Sequence, residues 1–324
     1  MPFTRRQIGA LGASLVLTPL ARAQPYPSQP VRWIVPYPAG GGTDVVARTI
    51  AAEMQQLLGQ PFVADNRPGA NTIVGADAIA KSRPDGYTIG SADNATLALN
   101  PGLYSRLPYD PGRDFSIVGG IARFPYVLVV RDTSAYRDLQ DLMQGARKAP
   151  GAVSYGSPGL GGPNHVAMEL LQQRTGIRLN HVPYRGAAPG IQDLLAGQID
   201  CMLVDTGSSM SHIQAGKLRA LAVAHERRLD PLPDVPTFAE AGIAGFKAFS
   251  WQFLVAPAGT PAAAAAVLGD ALNKALGQAG VKKRLLDLGI EPAAMNGEEA
   301  ARFVAAEAAL WGGVIRKAGI KLEG

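Results

Sequence analysis

Short apolar runs alternate with amphipathic stretches along most of the chain. Residues 31–35 (VRWIV) form a nearly continuous apolar run of strand length. After them Val46, Ile50, Met54 and Leu57 recur every three or four positions, the period of a helix buried along one side. That pattern predicts a helix N-capped by Thr43 or Asp44 and stopped at Gly59. Further strands are predicted at residues 87–92, 126–130, 199–204, 218–224 and 249–256. Helical stretches lie between them, among them 165–175 closed by Gly176 and 189–196 closed by Gly197. The C-terminal part reads as three helices, at 261–276, 281–288 and 298–317.

Regular alternation of strand and helix predicts an α/β protein with parallel sheets covered by helices. No repeat of solenoid period is present. One boundary falls near residues 122–130 and a second in the proline-rich stretch 229–236. Two boundaries in one chain imply a domain inserted into another with two crossings. Lobe 1 is then residues 24–124 and 226–324, and lobe 2 is residues 125–225.

The junctions carry the unusual chemistry. In VPYPAGGGTD (35–44) three glycines follow a Pro-x-Pro where a strand gives way to a helix. No lysine follows, so this is not a nucleotide-binding P-loop, and Val45 stands where a dinucleotide motif needs its third glycine. What remains is a helix N-terminus whose free N–H groups and dipole favour a carboxylate or other small anion. YGSPGLGGPNH (155–165) repeats the arrangement in the other half of the chain, and SADNATLALNP (91–101) leaves a third strand with small polar residues. Ligands of open α/β sheets sit outside the carboxyl ends of the strands, so three such loops from two lobes fit one cleft around one small ligand. Asp205, which ends an apolar strand, is a candidate cleft contact or helix cap.

Composition changes the picture at the N-terminus. Arg5 and Arg6 precede a mostly apolar run over residues 8–20, and Ala21-Arg22-Ala23 supplies a signal-peptidase site. Residues 1–23 therefore read as a signal peptide; Thr4-Arg5-Arg6 also hints at the twin-arginine type. Its removal lowers the formal charge from +5 to +2, too weak a bias for nucleic acid or an anionic membrane. The one cysteine, Cys201, forms no internal disulfide and sits in an apolar strand. An exported chain without disulfides suits a bacterial periplasm.

Catalytic signatures are missing. Ser157 lacks the Gly-x-Ser-x-Gly context, His225-Glu226 lacks the second histidine of a zinc helix, and no Cys/His cluster has zinc spacing. No cofactor, metal or catalytic residue is expected.

The stretches VPYPAGGGTDVVAR, DNRPGANTIVGADAIAKSRPDGYT, LPYDPGRDF, HVPYRGAAPGIQDLLAGQID, AGKLRALAVA and LPDVPTFAEAGIAGF closely resemble the Bug family, the extracytoplasmic solute-binding receptors of tripartite tricarboxylate transporters. The resemblance covers essentially the whole mature chain in order. It implies a type II periplasmic-binding-protein fold, two Rossmann-like lobes closing on a ligand cleft, joined by two crossover segments. It also implies a non-enzymatic, monomeric receptor for a small carboxylate, with the transporter's membrane subunits as partners. The family's binding roles map onto Tyr37, Ala39, Gly40, Gly41 and Thr43, and in the opposite lobe onto Gly156, Ser157, Gly159 and His165. The third loop, usually Ser-x-Gly-Thr, here reads Asp93-Asn94-Ala95-Thr96, which makes Asp93, Asn94 and Thr96 candidate contacts. Tyr37 stands where Phe is common, and Gly162 where Ser is frequent. A cleft-facing Asp93 would repel a second ligand carboxylate and favour an ammonium, so a dicarboxylate, an amino acid and an aromatic carboxylate all stay open. A ligand-sensing subunit for a membrane signalling partner, or a hydrolase on the same scaffold, are the alternative readings.

Overall fold

The computed structural model describes residues 26–323; the expected signal peptide lies outside them. Ten strands form one continuous sheet system. In the first half β1 (Val31–Val35) lies between β2 (Phe62–Asn66) and β3 (Thr88–Asp93), parallel to both. Next to β3 comes β9 (Phe249–Pro257), antiparallel, and then β4 (Phe115–Arg131). The second half repeats this order. There β5 (Ser154–Ser157) lies between β6 (Asn180–Pro183) and β7 (Cys201–Asp205), parallel to both, and β4 runs antiparallel between β7 and β8 (Leu218–Val223). Each lobe thus has one antiparallel strand inserted among parallel ones, and that strand continues from the other lobe.

The seventeen residues of β4 make this possible. Phe115 to Pro125 pair with β9, whereas Tyr126 onward pairs with β7 and β8. The change of partners coincides with Pro125, which has no N–H to give a ladder. Beside it the returning chain is tied in by three backbone bonds: Ala224 N–H to Tyr126 O, Ala248 N–H to Ala224 O and Tyr126 N–H to Ala248 O.

Strand alternation builds a core on both faces of each lobe. Trp33 packs in one cluster with Val46, Ile50, Met54 and Leu272, while its neighbour Ile34 packs in another with Ile79, Trp251 and Phe253. In lobe 2, Leu128 and Val130 join Tyr155 and Leu171, and Val127 and Val129 join Ile191 and Met202. Full burial of each such side chain is worth about 1.5–3 kcal/mol before entropy is charged against it.

Helices cover both faces. The helix α1 (Gly42–Leu58) begins two or three residues earlier than the pattern predicts: Gly41 is its N-cap and supplies no side chain, so Thr43 and Asp44 lie inside the first turn. Gly59 ends it in the left-handed conformation, as expected, but Leu57 is exposed rather than part of the buried face. Then follow α2 (Ile73–Ala80), a wide helical turn (Ala95–Leu99), α3 (Asn100–Leu103) and α4 (Leu139–Lys148). Next come α5 (Pro163–Thr175) and α6 (Ala187–Ala196), each starting two residues before its predicted start, and α7 (Thr206–Gln214). The chain closes with α8 (Ala262–Gly277), α9 (Ala279–Asp287), the short strand β10 (Glu291–Pro292) and α10 (Gly297–Ala318). A capping box between Asn296 and Glu299 starts α10. The helix then spans both lobes, with Ala300 in a lobe 1 cluster and Trp311, Val314 and Ile315 in the lobe 2 core. At the junction Glu307 Oε2 accepts from the indole N–H of Trp251 and from that of Trp311, both at 2.9 Å.

Candidate functional site

The turn after β1 is held by its own helix. Asp44, buried in the first turn of α1, reaches back with Oδ2 to the Gly40 N–H at 2.9 Å. Arg48 donates to both oxygens of Asp44, and Asn66 at the end of β2 donates to Asp44 Oδ1 and to Tyr37 O. Burial works to raise the Asp44 pKa, but the bonds from Arg48, Gly40 and Asn66 outweigh it and hold the carboxyl below its ordinary range. Gly40 has φ +84, a left-handed conformation that only glycine adopts freely. With the turn so fixed, the N–H groups of Gly42, Thr43 and Asp44 have no acceptor among the described residues. Gly42 and Asp44 are buried, so these are donors waiting for an acceptor. Ala39 and Gly40 lie exposed at the lip.

The third loop is drawn to the first through Tyr37 and Asp93, whose hydroxyl and carboxylate meet at 2.5 Å. The other oxygen of Asp93 accepts from the Thr96 N–H at 3.0 Å and the Thr96 hydroxyl at 3.1 Å, capping the wide turn. The chain itself therefore engages both oxygens of Asp93. Burial raises its pKa against these bonds, and burial followed by the Asp93 charge pushes the Tyr37 hydroxyl well above its ordinary value. Asn94 turns toward β9: its Nδ2 donates to Phe249 O and its Oδ1 accepts from the Trp251 N–H. Thr96 is fully buried and also bonds Thr72.

In lobe 2 the start of α5 is built by two histidines. His165 Nδ1 accepts from the Gly161 N–H at 2.9 Å, and the ring stacks on His181 with centroids 3.9 Å apart and planes at 10°. His181 Nε2 lies 2.7 Å from the Ser157 hydroxyl, which also reaches the Gly159 carbonyl at 3.0 Å. Tyr155 continues the stack against His181, its register partner in the parallel pair β5–β6. Burial, then the neighbouring His181, lowers the His165 pKa to about 3; burial lowers that of His181 to about 4. Both rings are neutral near pH 7. The N–H groups of Asn164 and His165 have no acceptor among the described residues. Gly159 lies open on the turn, whereas Gly156 is packed within β5 against Met202 and Tyr184.

Two contacts put the turns on one seam. Asp205 caps α7 through the Ser208 N–H at 2.9 Å, and its Oδ1 lies 3.1 Å from where a Cβ on Gly42 would stand. It is thus the helix cap, and its carboxylate abuts the opposite lobe. Burial raises its pKa against the Ser208 bonds. On the other side Asn71 bonds Asn100 at 2.8 Å and reaches the Gly161 carbonyl at 3.5 Å. Asn71 sits in a turn where Ala70, Asn71 and Thr72 all have φ between +46 and +73. Three consecutive non-glycine residues in this region are strained, which the bonds of Asn71 and Thr72 offset.

Of the residues expected to bind ligand, Ala39, Gly40, Gly41, Thr43 and Gly159 lie on the turns themselves. Tyr37, Asp93, Thr96, Ser157 and His165 brace them, Asp205 spans the seam, and Asn94 and Gly156 point into the fold. Asn66, Asn71 and His181 are further parts of the arrangement. A separate small cavity on the crossing strands is lined by Arg123, His225, Glu226, Lys247 and Glu291, whose charges pair in His225–Glu291 and Glu226–Lys247. It includes no residue of the glycine turns. Among the described residues no cluster of His, Cys, Asp or Glu could hold a metal, and no helix is long and apolar enough to cross a membrane.

Comparison with known proteins places these features in a lineage. The family model described as tripartite tricarboxylate transporter family receptor matches residues 46–320. Protein BugT of Bordetella pertussis is 36% identical over 317 residues, covering 98% of this chain and 97% of its own. Among solved structures, R. palustris Rpa4515 with adipate superposes with a TM-score of 0.88 at 36% identity, over 92% of this chain and 100% of that one. MatC of Rhodopseudomonas palustris with bound malate gives 0.83 at 32% identity, over 90% and 100%.

Proposed function

The chain belongs to the tripartite tricarboxylate transporter receptor family, and from that premise we propose that it captures one small carboxylate between its lobes and presents it to the membrane subunits of such a transporter. The observation that carries this reading is the set of unpartnered N–H groups at the start of α1, paired with a second set at the start of α5. A carboxylate accepts from such groups and gains from the positive end of each helix dipole. Ala39, Gly40, Gly41 and Thr43 contribute from lobe 1 and Gly159 from lobe 2, with Asp205 at the seam. The two structural relatives hold adipate and malate, which supports the ligand class.

The lobes divide as residues 24–124 with 226–324, and 125–225, except that Leu229, Leu232, Phe238 and Phe246 pack in the lobe 2 clusters, which moves the second boundary to the start of β9; the change of partners along β4 between Pro125 and Tyr126 supports the first boundary. The protein acts in the periplasm after loss of residues 1–23, as a monomer and without catalysis. In support of the last point, the Ser157 hydroxyl is buried and has the Gly159 carbonyl as acceptor for its proton.

A thermal-shift screen of mono- and dicarboxylates, hydroxy acids and amino acids tests the reading. A ligand at 100 times its Kd adds about 2.7 kcal/mol of stability. No shift with any carboxylate at millimolar concentration overturns it.

A further inference from the structure

We propose that His165 and His181 act together as positioning residues, holding the turn from Ser157 to Gly162 in its ligand-binding shape only while both imidazoles are neutral. The inference rests on the reading that this turn is lobe 2's share of a carboxylate site. The geometry is specific. One ring takes the Gly161 N–H on Nδ1, the other donates from Nε2 to the Ser157 hydroxyl oxygen, and the rings stack face to face at 3.9 Å. Ser157 passes the constraint to the Gly159 carbonyl, so the pair grips the turn at its start, middle and end.

Protonation undoes this in two ways. A charged His165 carries a proton on Nδ1, turning the acceptor of the Gly161 N–H into a second donor facing it. Two charged rings at this separation also repel in a buried setting. The titratable groups around the pair are Tyr155 on β5, Glu169 on α5 and Cys201 on β7. Glu169 Oε1 lies 3.2 Å from the Tyr155 hydroxyl and 3.8 Å from His165 Nε2. Cys201 stands beside Tyr155 in the parallel ladder. Among the described residues Glu169 is the one carboxylate placed to steady a charged His165, and it faces Nε2, not the nitrogen that grips the turn.

The experiment compares wild type, His165→Leu, His165→Asn, and the double variant His165→Asn/His181→Gln in the full mature protein. Asn presents an oxygen near the place of Nδ1, and Gln a polar group near that of Nε2, but neither titrates. Calorimetry with adipate and with malate is run from pH 7 to pH 3, the range over which both imidazoles take up protons. At pH 7, His165→Asn binds within about twofold of wild type and His165→Leu about tenfold more weakly, the effect of losing one hydrogen bond that shapes the site. Between pH 4 and pH 3 the wild type loses affinity faster than the double variant, which shares any effect of ligand protonation.

Amide exchange at Gly161, measured without ligand, is the second readout. Its protection is kept in wild type and His165→Asn, lost in His165→Leu, and lost on acidification in wild type alone. Parallel pH profiles in wild type and double variant, or equal Gly161 protection in the Leu and Asn variants, overturn the proposal. If neither carboxylate binds any variant, the ligand reading fails, while amide exchange still decides whether the pair positions the turn.

Discussion

Tyr37 and Asp93 stand 56 positions apart in the chain, yet a hydroxyl–carboxylate bond of 2.5 Å joins them. It ties the end of β1's loop to the end of β3, and Asp93 uses its other oxygen to cap the turn that follows. Asp93→Ser therefore acts on stability: the buried Tyr37 hydroxyl loses its acceptor, at a cost of about 1–3 kcal/mol. Tyr37→Phe costs less, and the double variant loses less than the sum of the two. Urea denaturation of all four proteins reads the coupling; strict additivity refutes the pairing.

Gly41 has φ −76, and a Cβ there would meet only the Pro38 carbonyl at 3.7 Å. The fold accepts Gly41→Leu, but the side chain fills the approach to the α1 N-terminus. Carboxylate binding by calorimetry should vanish while the melting temperature stays put. Gly40→Ala should do the reverse, costing about 1 kcal/mol of stability because its backbone is left-handed.

Acid should destabilise the protein well before its carboxylates titrate. His165 and His181 are neutral when folded and charge near pH 6.5 when unfolded, so the unfolded state takes up protons first as pH falls. Stability is lost from about pH 6.5 downward, by up to about 1.4 kcal/mol per pH unit for each imidazole, and the loss levels off near pH 4 to 3. Asp93 and Asp205 act oppositely, since their raised pKa values make stability fall as pH rises past the ordinary 3.8. Denaturation from pH 7 to 4 for wild type and His165→Asn/His181→Gln checks the first effect, which the double variant should lack.

Glu307 receives two buried indole N–H groups, one from each lobe's core. Glu307→Leu leaves both without an acceptor and should cost about 2–4 kcal/mol, whereas Glu307→Gln keeps an oxygen for them and should cost far less. Equal losses in the two variants, by chemical denaturation, would show that the carboxylate acts by charge alone.

Mass spectrometry of the protein from a periplasmic fraction should find a chain beginning at Gln24. An intact residue 1–23 segment in a cytoplasmic fraction refutes export.

Most elements were legible because their patterns are local. The continuous apolar run from Val127 to Val130 names a strand buried on both faces, and the i, i+4 spacing of Val46, Ile50 and Met54 names one side of a helix, each without knowledge of the partner. Helix starts were less legible: α1 starts from glycine amides alone, and Asp44 bonds backward from inside the first turn. Proline and the glycines marked the anion-seeking turns, but not their braces. His181 stands in a four-residue strand and meets Ser157 only through the β5–β6 register, although HVPYRG was among the stretches that carried the family resemblance. The left-handed run from Ala70 to Thr72 was not legible, since distant side-chain bonds through Asn100 and Thr96 help to sustain it.

Because β9 lies between β3 and β4, the order in which the chain is made matters. All five strands of the inserted lobe are synthesised before Phe249, but the outer lobe's sheet has a gap at its centre until Phe249–Pro257 arrives. A nascent chain stopped short of that strand presents two open edges, on β3 and on the first half of β4, each a template for pairing with another molecule. Frameshifts and truncations that remove Phe249–Pro257 should therefore yield aggregates rather than a weakened receptor.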